Sequence, residues 1–397
     1  MKSDMFILIP CHIEGSYKDI KEIEKDEYSK LYVKNLNKTS KSELVDRVSN
    51  SFERLYLGEY NLKILSDDYK ETLEDKTVIN QCQIKLFLTG CERTRLSVIT
   101  IAICDFNGNP TSILDQVTRE ELVIQKDKLI YLEDFLFEEF GIIKNGEAKT
   151  CLIQSEKSKD EDILYYMACE TNDSDLVETQ IISDKYKDLA LDNLAVYDFS
   201  DIYVSESVVY QVIHDKDKQA KMQYESLLIF IVELLVMKLS AIYRTNNKVQ
   251  KALEENEGIN VKQYEKLSNE FANTLSIWQI NIYRYKGAQT IANRISERFE
   301  IDKVRDNYRE NDDLLQNIID TRNVKNSIAE SKILFVVAIL LFIRDLYSII
   351  KNLYLFFAES QEFSPGDIFS SLTSILFIII VVVIYLSRNI KIKSRKK

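Results

Sequence analysis

Residues 344–352 carry the most pointed spacing of polar groups in the chain. Arg344, Ser348, Lys351 and Asn352 follow one another by four, three and one positions within an otherwise apolar run. At about 100° per residue the first three fall within ~60° of one another on a helix, with Asp345 and Asn352 beside them. Ionisable side chains at membrane depth face a bundle interior or a water-filled path. The stripe therefore reads as the polar lining of a pore, where rings of Arg and Lys disfavour cations. Two plainer readings stand beside it: Lys351 snorkelling to the outer interface, and Arg344 pairing with Asp345 of a neighbouring subunit. Glu359, Glu362 and Asp367 come next and would gather cations at an outer mouth. As members of a soluble loop they would only keep the segment oriented. The two charge sets oppose each other, so the sequence leaves the ion open.

A second candidate lies near the N-terminus. Arg93 and Arg95 sit in a turn between two predicted strands, close to the turn holding Asn107, Gly108 and Asn109. Paired guanidiniums and loop amides suit a phosphate-bearing ligand, although turn arginines are more often merely solvated. Acidic residues crowd positions 297–313, interleaved with Arg298, Lys303, Arg305 and Arg309. That pattern reads as a solvated helix face rather than a divalent-cation site, and no metal site is expected.

Other chemistries find little support. The chain has two histidines, His12 and His214, and nine glycines with no Walker-type or dinucleotide-binding pattern. None of its six cysteines forms a CxxC pair, and they read as small buried hydrophobes. No catalytic residues are assigned and no enzyme is expected, with carboxylate-only chemistry left open. The net charge of −11 argues against direct nucleic-acid binding.

The elements that must position the stripe are apolar helices. Residues 368–387 form twenty uncharged positions dense in Ile, Val, Leu and Phe, enough to cross a hydrocarbon core of ~30 Å. Residues 332–357 form a less clean apolar stretch, and the ten residues 358–367 between them contain Pro365 and Gly366. Together these predict a C-terminal two-helix transmembrane hairpin. Arg388, Lys391, Lys393, Arg395, Lys396 and Lys397 follow it, Arg322, Lys325 and Lys332 precede it, and the loop has no basic residue. The positive-inside rule then puts both chain ends in the cytoplasm and the loop outside. No signal peptide is visible, so a multi-pass protein of a bacterial inner membrane is expected.

Upstream, residues 1–205 mix β-like and helical runs and predict an α/β or α+β cytoplasmic domain. Strands are expected at 5–9, 84–88, 96–106, 150–153, 163–169 and 195–199. Helices are expected at 41–57, 119–140 and 184–191. Residues 206–260 read as a helical connector; within it, 219–244 is apolar enough to span a membrane. Glu225, Glu233 and Lys238 interrupt that run, which favours a buried soluble helix. Residues 261–331 read as one long stalk helix of roughly 105 Å with Gly287 as its weak point. A helix that long needs partner helices, which predicts a homo-oligomer.

This plan resembles the CorA-like family of pentameric membrane channels: a cytoplasmic α/β domain, a long helix entering the first span, a short outer loop, a second span and a basic tail at 388–397. The family's Gly-Met-Asn signature at the outer end of the first span is missing. The matching stretch reads Asn352-Leu353-Tyr354-Leu355-Phe356-Phe357-Ala358, and the last methionine is Met237. The chain is similar rather to a divergent branch, the CorA-like effectors associated with type III CRISPR systems. That resemblance implies a homopentameric ion channel in a lipid bilayer, gated by a nucleotide second messenger as ligand in antiviral defence. The alternatives are a divalent-cation (magnesium-type) transporter of the same architecture and a membrane-anchored sensor or scaffold that conducts nothing.

Overall fold

The structure is a computed structural model of the chain. It describes residues 3–13, 20–44, 52–65, 73, 76–91, 96–106, 108–126, 128–155, 160–169, 192–196, 198–214, 218–254 and 282–359. The chain divides into two compact units, Met1–Asp313 and Leu314–Lys397.

The first unit is a mixed α/β domain built on a ten-stranded sheet. The strands are β1 (Ser3–Ile13), β2 (Phe52–Leu65), β3 (Val78–Cys91), β4 (Leu96–Phe106), β5 (Val123–Gln125), β6 (Leu129–Tyr131), β7 (Ile142–Lys144), β8 (Lys149–Gln154), β9 (Ser200–Val204) and β10 (Val208–Ile213). They run in the order β6-β5-β2-β3-β4-β1-β8-β10-β9, and β7 also pairs with β1. Among the described strands only the β10–β8 pairing is parallel. The first unit's described helices are α1 (Glu27–Glu43), α2 (Pro110–Thr118), α3 (Leu132–Phe140), α4 (Glu161–Cys169), α5 (Lys218–Glu254) and α6 (Lys286–Arg298), and α7 (Ile301–Glu359) begins in this unit and continues into the second.

The central strand β1 is nearly all apolar because both of its faces are covered. Met5, Ile7, Ile9 and Cys11 join a core with Ile113 and Leu114 of α2, Leu132 and Phe135 of α3, and Ile163 and Met167 of α4. On the opposite face Phe6 stacks on Tyr32 of α1, which in turn meets Phe87 of β3 at 4.3 Å. Pro10 is tolerated mid-sheet for a specific reason. Its carbonyl accepts the Asn145 N–H. Its missing N–H therefore faces the gap where β1 changes partner from β8 to β7. Helix α3 stops at Gly141, whose φ of +62° is the left-handed conformation that closes a helix end.

Several sequence expectations give way here. The run 41–57, with apolar residues at helical spacing, is not one helix: α1 ends at Glu43 and Phe52–Leu65 is a long strand. Cross-strand pairing of Leu55 and Leu62 with β3 overrides the local period. Within 119–140 only Leu132–Phe140 is helical; β5 and β6 form a hairpin that extends the sheet beyond β2. Residues 163–169, read as a strand from their Ile and Tyr content, belong to α4. The Asp160 carboxylate accepts the Asp162 N–H at its start. The strand expected at 195–199 forms instead at Ser200–Val204. The expected helix 184–191 lies outside the described residues.

The sheet also passes the boundary drawn at residue 205, since β10 belongs to it. The apolar helix that follows, α5, packs on α1 and on β1, β4 and β8. Its stretch Met222–Lys251 is long and apolar enough to cross a membrane, and most of it is buried in the domain. Of the unbroken stalk expected over 261–331, residues 261–281 lie outside the described residues, and the described part is interrupted at 299–300. Tyr283 bridges Leu44, α6 runs only to Arg298, and α7 begins anew at Ile301 and continues for 59 residues.

Candidate functional site

Helix α7 carries the polar stripe. The helix is continuous through residue 359, so Arg344, Ser348 and Lys351 share one face as their spacing requires. Arg344 and Lys351 are exposed. The side chains of Asp345, Ser348, Asn352 and Glu359 are not among those described, and Glu362, Asp367 and residues 368–387 lie outside the described residues.

The apolar residues around the stripe are the more telling feature. Ile333, Leu334, Phe335 and Val336 point about 100° apart around the helix, and they leave 64%, 59%, 40% and 54% of their surfaces open. Leu340, Ile343, Tyr347, Ile350 and Tyr354 are each more than half exposed. A helix that is apolar all round is stable inside a protein core or inside a membrane. These side chains stay open, and each forgoes part of the ~1.5–3 kcal/mol that full burial yields.

The second sequence candidate is only partly visible. Arg93, Arg95 and Asn107 lie outside the described residues. Asn109 is the N-cap of α2: its Oδ1 accepts the Thr111 N–H at 3.1 Å and the Thr111 hydroxyl at 2.8 Å, and Pro110 occupies the first turn. Capping engages that side chain locally.

The acidic run 297–313 is laced with ion pairs. Glu300 meets Lys303, Asp302 meets Arg305, and Asp306 meets both Arg305 and Arg309. Among the described residues no cluster of three or more His, Cys, Asp or Glu is arranged to hold a metal.

Two polar features of the domain were not singled out from the sequence. One is a buried ion pair. Arg54 of β2 donates to Glu233 of α5 at 2.5 Å and to Asn37 of α1 at 2.8 Å, and both charged side chains are 1% exposed. The Thr89 hydroxyl donates to the other Glu233 oxygen, and Arg54 stacks 5.6 Å from the Phe230 ring centroid. Glu233 inside an apolar helix was the available signal; Arg54 was hidden because its segment read as helix.

The other is a cleft of about 300 Å³ lined by Lys38, Thr39, Ser42 and Glu43 of α1 and by Phe199, Gln223, Tyr224 and Leu227. Phe199 and Tyr224 stack there at 3.4 Å. Partial burial pushes the Glu43 carboxyl above its ordinary range, against the opposing pull of Ser42 and Arg284. Mixed polar groups around an aromatic wall could hold a small polar ligand.

No protein family, curated protein or solved structure matches this chain.

Proposed function

We propose that this chain is one subunit of a homo-oligomeric, CorA-like ion channel, anchored in a bacterial inner membrane by a C-terminal hairpin. In this reading α7 supplies the first span and residues 368–387 the second, with both chain ends in the cytoplasm. The mixed α/β domain is the sensor. A nucleotide second messenger produced in anti-phage defence is the gating ligand that the family resemblance favours.

The observation that carries the reading is the all-round exposure of the apolar run in α7. Arg344 adds to it. It lies twelve residues beyond Lys332, ~18 Å along the helix, and ionisable groups at that depth face a bundle interior or a water-filled path. In this reading that path is the central pore. Absence of the Gly-Met-Asn signature argues against magnesium as the conducted ion.

Purified full-length chain in liposomes tests the proposal. Ion flux is expected, with an oligomer by native mass spectrometry of the same sample. Arg344→Glu should keep the oligomer and move the reversal potential towards cation preference. A monomer, absence of flux under every ligand condition, or unaltered selectivity in an assembled Arg344→Glu variant would contradict the proposal in turn at assembly, at conduction and at the assigned lining.

A further inference from the structure

Between residues 288 and 364 the sequence contains neither Gly nor Pro, and its apolar spacing reads straight through position 300. The chain nevertheless breaks there. Phe299 has φ −73° and ψ 3°, and Glu300 has φ +50°. A left-handed glutamate is an uncommon and costly conformation, kept only where its surroundings impose it.

The surroundings are visible on both sides. Before the break, Ala288, Ile291, Ala292 and Ile295 of α6 are buried, and Phe299 is 2% exposed. Lys149 of β8, itself 2% exposed, sets its ammonium 5.3 Å from the Phe299 ring centroid. After the break, Ile301 and Tyr308 are buried, and the Asn311 amide donates to Asn246 of α5 at 2.7 Å. The Lys303 ammonium reaches the Glu300 carboxylate from the following turn. A left-handed residue turns the chain, so α6 and the start of α7 follow different axes. One fused helix could not keep both sets of contacts.

We propose that the Phe299–Glu300 break is a latched helix-fusion switch. Packing of Phe299 under Lys149 holds α6 and α7 apart. Release of that latch lets residues 299 and 300 become right-handed and joins the two into one continuous helix. The inference rests on the channel reading for its purpose, because α7 is the same helix that carries the apolar run. Its physical basis is independent of it: local helical preference and tertiary packing disagree at this one junction, which is where two-state elements arise.

Amide hydrogen exchange on the full chain in detergent tests it. In the broken form the N–H groups of Ile301, Asp302 and Lys303 open a helix and have no acceptor four residues back. Glu300→Ala favours the fused form and should slow exchange at 301–303 by tenfold or more. Lys149→Met, which keeps the volume and removes the ammonium, should slow it in the same sense. Glu300→Gly relieves the left-handed residue, so it should keep exchange fast and raise the melting temperature. Unchanged exchange in both Glu300→Ala and Lys149→Met, or a lower melting temperature in Glu300→Gly, would overturn the switch. Flux in liposomes separates the two proposals. If the wild type conducts and exchange never shifts, the switch fails and the channel stands. If exchange shifts as expected and no variant conducts, the channel fails and the switch stands.

Discussion

Helix α5 and the apolar run of α7 have similar compositions and opposite surroundings. Among the described residues α5 is the one helix long and apolar enough to cross a membrane, the run of α7 is also rich in apolar residues, and each is interrupted by charge. In α5 the interruption is answered from inside the domain: Glu233 meets Arg54 and Thr89, and Phe230, Ile231, Val232 and Val236 beside it are fully buried. In α7 the large apolar side chains described between Ile333 and Tyr354 are exposed, and so is Arg344. Hydropathy alone does not separate the two. Packing of α5 against the sheet and α1 does. Burial of the apolar residues, rather than the charge among them, is what distinguishes the two helices.

Breaking the partner in α5 should give the largest effect. Glu233→Ala leaves a buried guanidinium without its carboxylate and should cost ~3–5 kcal/mol of domain stability, read as a fall in the denaturation midpoint. The double variant Arg54→Met with Glu233→Leu should recover most of that loss, since an apolar replacement of a buried pair is often neutral. If the single variant were as stable as the wild type, the ion pair would not be what fixes α5 on the sheet.

A charge placed in the other helix should behave differently. Leu340→Arg puts a guanidinium on an exposed apolar position and should cost ~2.5–3.5 kcal/mol of membrane insertion. The inserted fraction after alkaline extraction should drop, with the unfolding midpoint of the α/β domain unmoved. A shift of that midpoint together with unchanged insertion would reverse the assignment of the two helices.

How far the sequence revealed this contrast depends on where partners come from. Strand β4 was legible to the residue because its apolar run is local and bounded by turns. The burial of α5 was legible from Glu225, Glu233 and Lys238. The partner Arg54 was not, because Phe52–Leu65 becomes a strand only through pairing with β3 and β5. Helix α2 went unseen although Asn109 and Pro110 form an N-cap signature. The break at Glu300 was invisible for the opposite reason: nothing local favours it, and Phe299 packing under Lys149 imposes it. The stripe of α7 was readable as a spacing, and the exposure around it came only with the structure.

The smallest effect concerns a charge left in water. Asp26 caps α1, accepting the Ser29 N–H at 2.8 Å, and pairs with Lys85. Slight burial opposes its ionisation, yet Lys85 and Ser29 hold its carboxyl down at about 2. A folded value below the unfolded one means the stabilisation is present above pH ~4 and is lost as pH falls towards 2. Asp26→Ala should cost ~1 kcal/mol at neutral pH through the lost cap, and Asp26→Asn less. Because Asp26 is well exposed, solvent screening keeps the pairing contribution small. An acid-denaturation curve identical in Asp26→Ala and wild type would show that the cap and its pair contribute nothing.

The contrast between the two helices is tested most directly by photolabelling in liposomes with a phospholipid that carries a diazirine in its acyl chain. Peptides covering residues 333–354 should carry lipid adducts, and peptides covering Met222–Lys251 should carry none. Adducts on Met222–Lys251, or their absence from 333–354, would contradict the account.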